Sequence, residues 1–219
     1  MSFARTIRLT LIVRTALMAL AVSACGDGSG PGSAEESPPN IVLIYIDDLG
    51  WNDLGVQGST YYETPNVDRL AAEGMRFTNA YANAPNCAPS RAALMSGQYA
   101  PRTGVYTVAS AARGDAANRR LVPVQNRLDL DLGVATLAES LQEAGYTTGH
   151  AGKWHLGGDG SLPTDHGFDW SVAGNAAGSP PGYFYPYERN GRQIPGLEEG
   201  EEAEYLTDRL TDEVIGFMG

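Results

Sequence analysis

From Asn40 to Ile46 the chain reads NIVLIYI, a continuous apolar run rich in β-branched residues, which predicts a strand buried on both faces. The run ends in Asp47-Asp48. Ligands of open α/β sheets gather outside the carboxyl ends of strands, so these two acids stand where chemistry is expected. Residues 64–74 predict a helix signed at both ends, with Thr64 as cap, Pro65 at the first position and Gly74 as stop. Met75 to Tyr81 reads as a further strand. Val134, Leu137, Ala138, Leu141 and Ala144 fall at helical spacing ahead of Gly145, and Tyr146 to His155 follows as another strand. Glu201 to Met218 reads as an amphipathic helix with Leu206, Leu210, Val214 and Phe217 on one side. The polar, irregular stretch from Val105 to Gly133 and the chain beyond Gly167 read as loop. Strands alternating with helices imply an α/β fold, a mostly parallel sheet flanked by helices.

Composition narrows the function classes. The chain has 219 residues, of which 42% are apolar, enough to build a packed core. A net charge of −11 argues against nucleic acid as a partner. Two cysteines exclude a disulfide scaffold and a four-cysteine zinc module. The length alone fits one ordinary domain.

The first 24 residues have the features of a secretory signal: Arg5, Arg8 and Arg14, then an apolar run from Ala16 to Val22, then small residues. That run is too short to span a bilayer, which needs about 20 apolar residues. Val22-Ser23-Ala24-Cys25 also resembles a bacterial lipoprotein box, whose cysteine is lipidated. An ordinary signal peptide would leave Cys25 incidental. The lipoprotein reading is favoured because Cys25 falls at the cut position and a tether, residues 25–39, follows it. Gly/Ser-rich chain of that length is a flexible linker reaching roughly 20 Å. Cleavage before Cys25 removes three arginines and no acid and leaves a charge of −14. The expectation is an exported protein, periplasmic or an outer-membrane or cell-surface lipoprotein, which meets a membrane only through its lipid anchor.

The most informative stretch is Cys87-Ala88-Pro89-Ser90-Arg91-Ala92-Ala93-Leu94-Met95-Ser96-Gly97. Pro89 suits the first turn of a helix running to about Ser96. Cys87 then lies at the helix N-terminus, where free amides and the dipole favour an anion. Arg91 can offer a bidentate fork to a tetrahedral oxyanion. By itself, a cysteine so placed is more often a buried or merely reactive thiol than a catalytic nucleophile.

The stretch from Cys87 to Arg91, with Leu94 and Gly97, resembles the sulfatase signature at which a cysteine is oxidised to formylglycine. NIVLIYIDDLGWNDLG, TPNVDRLAAEGMRFTNAYA, LAESLQEAGYTTGHAGKWHLG and HGFDW are similar to sulfatase segments and stand in the family's order, from Asn40 to the last residue. The resemblance implies an alkaline-phosphatase-like α/β fold and a sulfuric ester hydrolase. Cys87 would be the formylglycine precursor, matured by a formylglycine-generating or sulfatase-maturing enzyme. One hydroxyl of the hydrated aldehyde attacks the sulfur of a sulfate ester. The other, once deprotonated, expels sulfate and restores the aldehyde, where a serine sulfate would be a dead end.

Asp47 and Asp48, with Cys87, resemble the family's site for Ca²⁺ or Mg²⁺, cations that take hard oxygen ligands. An isolated Asp-Asp would otherwise read as an acidic turn capping a strand. Gly152-Lys153-Trp154-His155-Leu156-Gly157 resembles the family's sulfate clamp. Two apart on a strand, Lys153 and His155 would face one ligand, lysine supplying charge and histidine a donor or proton, while Trp154 faces the core. His150 has no assignment, and His166 reads as a loop-fixing hydrogen-bond partner. Asn175 and the Ser179–Tyr183 loop could rim a pocket and take no role.

Members of the family are longer chains. Their second metal pair, and another histidine and lysine of the sulfate site, come after the position that Gly219 occupies, and no Asp-Asn dipeptide follows His155. The expectation is therefore that residues 40–219 are the N-terminal portion of a catalytic domain, C-terminally truncated. Two other readings stand beside a sulfatase acting on sulfated glycans: a phosphonate or phosphodiester hydrolase of the same superfamily, and a catalytically incomplete lipoprotein fragment that only binds.

Overall fold

The computed structural model describes residues 37–219. The predicted signal segment, Cys25 and nearly all of the tether lie outside the described residues. The chain divides into two units, residues 1–45 and residues 46–219.

In the first unit, residues 37–45 form no regular secondary structure, and Ile44 is 73% exposed. This corrects the strand expected over Asn40–Ile46. A strand buried on both faces needs a ladder partner and a covering layer, and the described residues supply neither.

In the second unit, α1 (Pro65–Glu73) has the predicted extent. Its cap residue does a different job from the expected one. Thr64 Oγ1 accepts the Gly55 N–H at 2.8 Å and donates to Asp68 Oδ1 at 3.1 Å, while Asp68 Oδ1 accepts the Val56 N–H at 2.7 Å. The polar pair thus pins the preceding 3₁₀ turn (Gly55–Gln57) to the helix. No strand forms over Met75–Tyr81, where Met75 and Phe77 stay exposed, a second correction of the same physical origin.

Helix α2 (Cys87–Ser96) is the buried one: Ala88 through Ala93 are all buried. Gly97, in the left-handed region at φ 64, closes it with an N–H bond to Ala93 O, a role that suits a residue without Cβ. A short turn, α3 (Ala100–Thr103), follows. Small residues of α2 let Trp154 and Leu156 approach closely, and with Val105 and Leu130 they form the first core cluster.

Helix α4 (Leu137–Glu143) starts where a capping box dictates. Thr136 Oγ1 accepts the Glu139 N–H at 3.1 Å, and Glu139 accepts the Thr136 N–H at 2.7 Å. Strand β1 (Gly149–Ala151) pairs in parallel with β2 (Trp170–Val172), His150 opposite Ser171. Parallel pairing requires a long crossover, and here it is the segment carrying Lys153 and His155. This corrects the strand expected over Tyr146–His155, which ends at Ala151.

Beyond β2, β3 (Glu188–Arg189) and β4 (Arg192–Gln193) make a two-residue hairpin around Asn190-Gly191, both at positive φ. Asn-Gly is the preferred pair for such a turn. Helix α5 (Leu206–Met218) is the predicted terminal helix with a later start. Its Leu206 joins Val172, Tyr187, Ile194 and Leu197 in a second core cluster. Phe217 stacks on Trp170 with ring centroids 5.1 Å apart and lies so close to Gly149 that a Cβ there would sit 2.7 Å from the ring. The architecture is α/β, helices packed about parallel strand pairing. Among the described residues, no helix is long and apolar enough to cross a membrane.

Candidate active site

Helix α2 delivers two of the expected residues. Cys87 is its first residue, half-buried and free, and Arg91 follows one turn later on the same face. Arg91 is only 9% exposed, so its guanidinium needs fixed partners. Nη1 donates to the carbonyl oxygen of Lys153 at 2.5 Å, and Nη2 lies 3.8 Å from Asp47 Oδ2. Lys153 Nζ donates to the same Asp47 oxygen. One carboxylate thus gathers the two cations that the sequence assigned to an anion clamp, and each of the three side chains is substantially screened from solvent.

His155 is placed differently from the expectation. It lies in the crossover rather than on a strand, with its backbone in the left-handed region at φ 60. The alternation argument that put Lys153 and His155 on one strand face therefore does not apply. The crossover carries them instead, with the Trp154 side chain in the core, 1% exposed and donating from Nε1 to Ser161 O at 2.8 Å. Burial pushes the His155 imidazole below its ordinary pKa. Lys153 and Arg91 push it the same way, and Asp47 opposes them. A neutral ring at neutral pH can accept a proton, as a general base must.

Asp48 follows Asp47 in a left-handed turn at φ 58 and is exposed. The two carboxylates offer hard oxygen donors, the type that Ca²⁺ and Mg²⁺ take, and Asp47 already draws positive charge. They fit as two ligands of such a cation. No group of three or more His, Cys, Asp or Glu side chains converges among the described residues, so Cys87 is not gathered with Asp47 and Asp48 into one ligand cluster.

The remaining histidines divide as their surroundings dictate. His166 is fully buried, with Nε2 2.9 Å from Ser161 Oγ and its carbonyl accepting from Thr136 Oγ1 at 2.7 Å, the structural role expected of it. His150 packs edge-on against Trp154 and Phe168, at 5.5 and 5.4 Å between centroids. Burial, with Arg91 nearby, lowers its pKa to about 4. Two contacts went unread in the sequence. The Asn175 carbonyl accepts the His155 N–H at 3.0 Å, and Gly178 lies against the His155 ring. The one available signal was the turn-forming Asn175, whose Oδ1 accepts the Ala177 N–H at 2.7 Å.

A helix-borne Cys–Arg pair beside a Lys–Asp contact, on an α/β frame, agrees with the family comparison: the Sulfatase family model matches residues 39–218. The chain belongs to the sulfatase family. Among curated proteins, it is 42% identical over 180 residues to N-acetylgalactosamine-6-sulfatase of Homo sapiens, covering 80% of this chain and 32% of that protein. It is 46% identical over 140 residues to arylsulfatase A of Bos taurus, covering 63% and 25%. The chain spans about a third of the length of the curated relatives it matches. Among solved structures, Ps i-CgsB superposes with a TM-score of 0.60 at 32% identity, over 82% of this chain and 41% of that one. A structure in complex with its substrate D-glucosamine-2-N,6-O-disulfate gives 0.56 at 28% identity, over 82% and 31%.

Proposed function

We propose that this chain carries the nucleophile and the first anion contacts of an enzyme that hydrolyses sulfate esters of glycans. The observation that carries the reading is the Arg91–Asp47–Lys153 contact one helical turn from Cys87. One guanidinium and one ammonium held by one carboxylate, next to a helix N-terminus, form a preorganised site for a tetrahedral anionic ester. Sulfate binding would exchange part of the Asp47 contact for the ester oxygens, and the buried Arg91 would keep its orientation through the Lys153 carbonyl.

Oxidation of Cys87 to formylglycine by a maturing enzyme supplies a hydrated aldehyde as a nucleophile that can release sulfate. A divalent cation, Ca²⁺ or Mg²⁺, held in part by Asp47 and Asp48, supplies Lewis-acid polarisation of sulfate oxygens. His155, kept neutral by burial, accepts or returns a proton at the reacting oxygens. Sulfated sugars as substrates are supported by the names of the similar proteins, one an N-acetylgalactosamine-6-sulfatase and one solved with a glucosamine disulfate. The N-terminal pattern supports export and anchoring through a lipid on Cys25.

The test is hydrolysis by protein isolated from its native host, measured on an aryl sulfate, on 6-sulfated amino sugars and on a matched phosphonate ester. Sulfate release that vanishes in Cys87→Ala is expected. Turnover of the phosphonate alone would move the chain to another branch of its superfamily.

A further inference from the structure

His155 occupies a conformation that its own chemistry does not favour. A non-glycine residue at φ 60 persists only where its surroundings over-determine it. Its Nδ1 is buried and has no hydrogen-bond partner among the described residues, which also costs free energy. Something must hold both backbone and ring, and one short segment touches both. The Asn175 carbonyl accepts the His155 N–H at 3.0 Å, and the turn at Asn175 is closed by its own side chain through the Ala177 N–H at 2.7 Å. Three residues on, Gly178 faces the edge of the imidazole that carries both nitrogens. A Cβ at Gly178 would lie 2.7 Å from Cε1, 2.9 Å from Nε2 and 3.2 Å from Nδ1. Real Cβ contacts are not that short, so the ring could keep this pose only against glycine.

We propose that Asn175–Gly178 is the positioning segment for His155: the Asn175 carbonyl fixes its backbone, and the missing side chain of Gly178 sets where the imidazole edge lies. The segment acts through its contacts with His155, so its role is positioning. Its catalytic consequence rests on the reading of His155 given above. Gly178 itself is outside the left-handed region, so alanine is tolerated by the backbone there, and Gly178→Ala perturbs the ring rather than the loop. Gly158→Ala is the control, because its Cβ would meet Ala176 at an ordinary 3.5 Å.

The chain has three histidines, so ring signals can be assigned by substitution and followed in long-range ¹H–¹⁵N spectra. In Gly178→Ala the His155 ring signals are expected to move while those of His150 and His166 stay, and Gly158→Ala is expected to move none. In sulfate-ester turnover by native-host protein, Gly178→Ala is expected to lower kcat by about 10-fold or more with KM little changed, since a small misplacement of a reacting group is costly. Unmoved His155 signals overturn the assignment, and so does displacement of all three histidines together, which would mean a folding role. Moved signals with an unchanged kcat would also overturn it. A wild-type protein that hydrolyses no sulfate ester would contradict the functional reading instead, and the ring signals would still decide whether the segment positions His155.

Discussion

The Arg91 guanidinium donates from Nη1 to the backbone carbonyl of Lys153 at 2.5 Å, joining the helix that begins with Cys87 to the crossover that carries Lys153 and His155. These pieces lie far apart in sequence, and the bond is between a buried side chain and a backbone atom. The register between Cys87 and the Lys153 backbone is therefore set by this bond, while the Lys153 side chain is held separately by Asp47.

Replacing Arg91 tests this join. Arg91→Ala removes a charge-assisted bond and leaves Asp47 with one cation fewer, and a loss of about 2 kcal/mol in unfolding free energy is expected. Arg91→Lys is expected to recover little, because one ammonium cannot reach the Lys153 carbonyl and Asp47 with a planar fork. Urea midpoints read the stability, and aryl sulfate turnover should fall at least about 100-fold in both variants.

The Asp47 carboxylate holds Lys153 and Arg91, and in the proposed function it would also offer an oxygen to a divalent cation. Asp47→Asn is expected to abolish Ca²⁺ binding in calorimetry, and Asp48→Asn to weaken it. Chelation should suppress sulfate release, and added Ca²⁺ should restore it. Wild-type calorimetric affinity in Asp47→Asn would remove Asp47 from the metal site.

Acid should destabilise the chain before its carboxylates titrate. His150 is held neutral down to about pH 4 by burial and by Arg91, whereas an unfolded histidine takes its proton near pH 6.5. Its folded pKa is depressed, so the unfolded chain binds the extra proton between those values. The stability it supports is full above pH 6.5 and declines as the pH falls toward 4. Against His150→Gln, the wild type should lose on the order of 2 kcal/mol more between pH 7 and pH 5. The difference between their urea midpoints at the two pH values measures this.

Thr136 ties the start of α4 to His166, its side-chain hydrogen bonds running to the His166 carbonyl and from the Glu139 N–H. Thr136→Val keeps the shape and removes the hydroxyl, which should cost about 1–2 kcal/mol with turnover at 25 °C unchanged. Thermal unfolding with parallel activity assays separates the two effects.

The legible parts of the chain were those with local causes. Helices α1, α2 and α4 are legible from Thr64-Pro65, from Pro89 and from the apolar spacing of Val134 to Ala144 ahead of Gly145, all signals within the segment itself. Strands were misread because their existence depends on distant partners: NIVLIYI has the composition of a central strand but no ladder partner among the described residues. The hairpin at Asn190-Gly191 stands where the Gly- and Pro-rich sequence implies loop, although Asn-Gly is itself a local turn signal. In the site, Cys87, Arg91, Lys153 and Asp47 were named from motifs alone. The Arg91 bond to a backbone carbonyl and the contact of Gly178 with His155 were not legible, since neither a main-chain acceptor nor a missing Cβ leaves a mark at the residue it serves.

Conversion of Cys87 to the nucleophile by oxidation is read out by mass spectrometry of the Cys87 peptide from protein made in the native host. An aldehyde at position 87 is expected, trapped by hydrazide reagents and absent from Cys87→Ala. A thiol at that position that alkylates completely would contradict it.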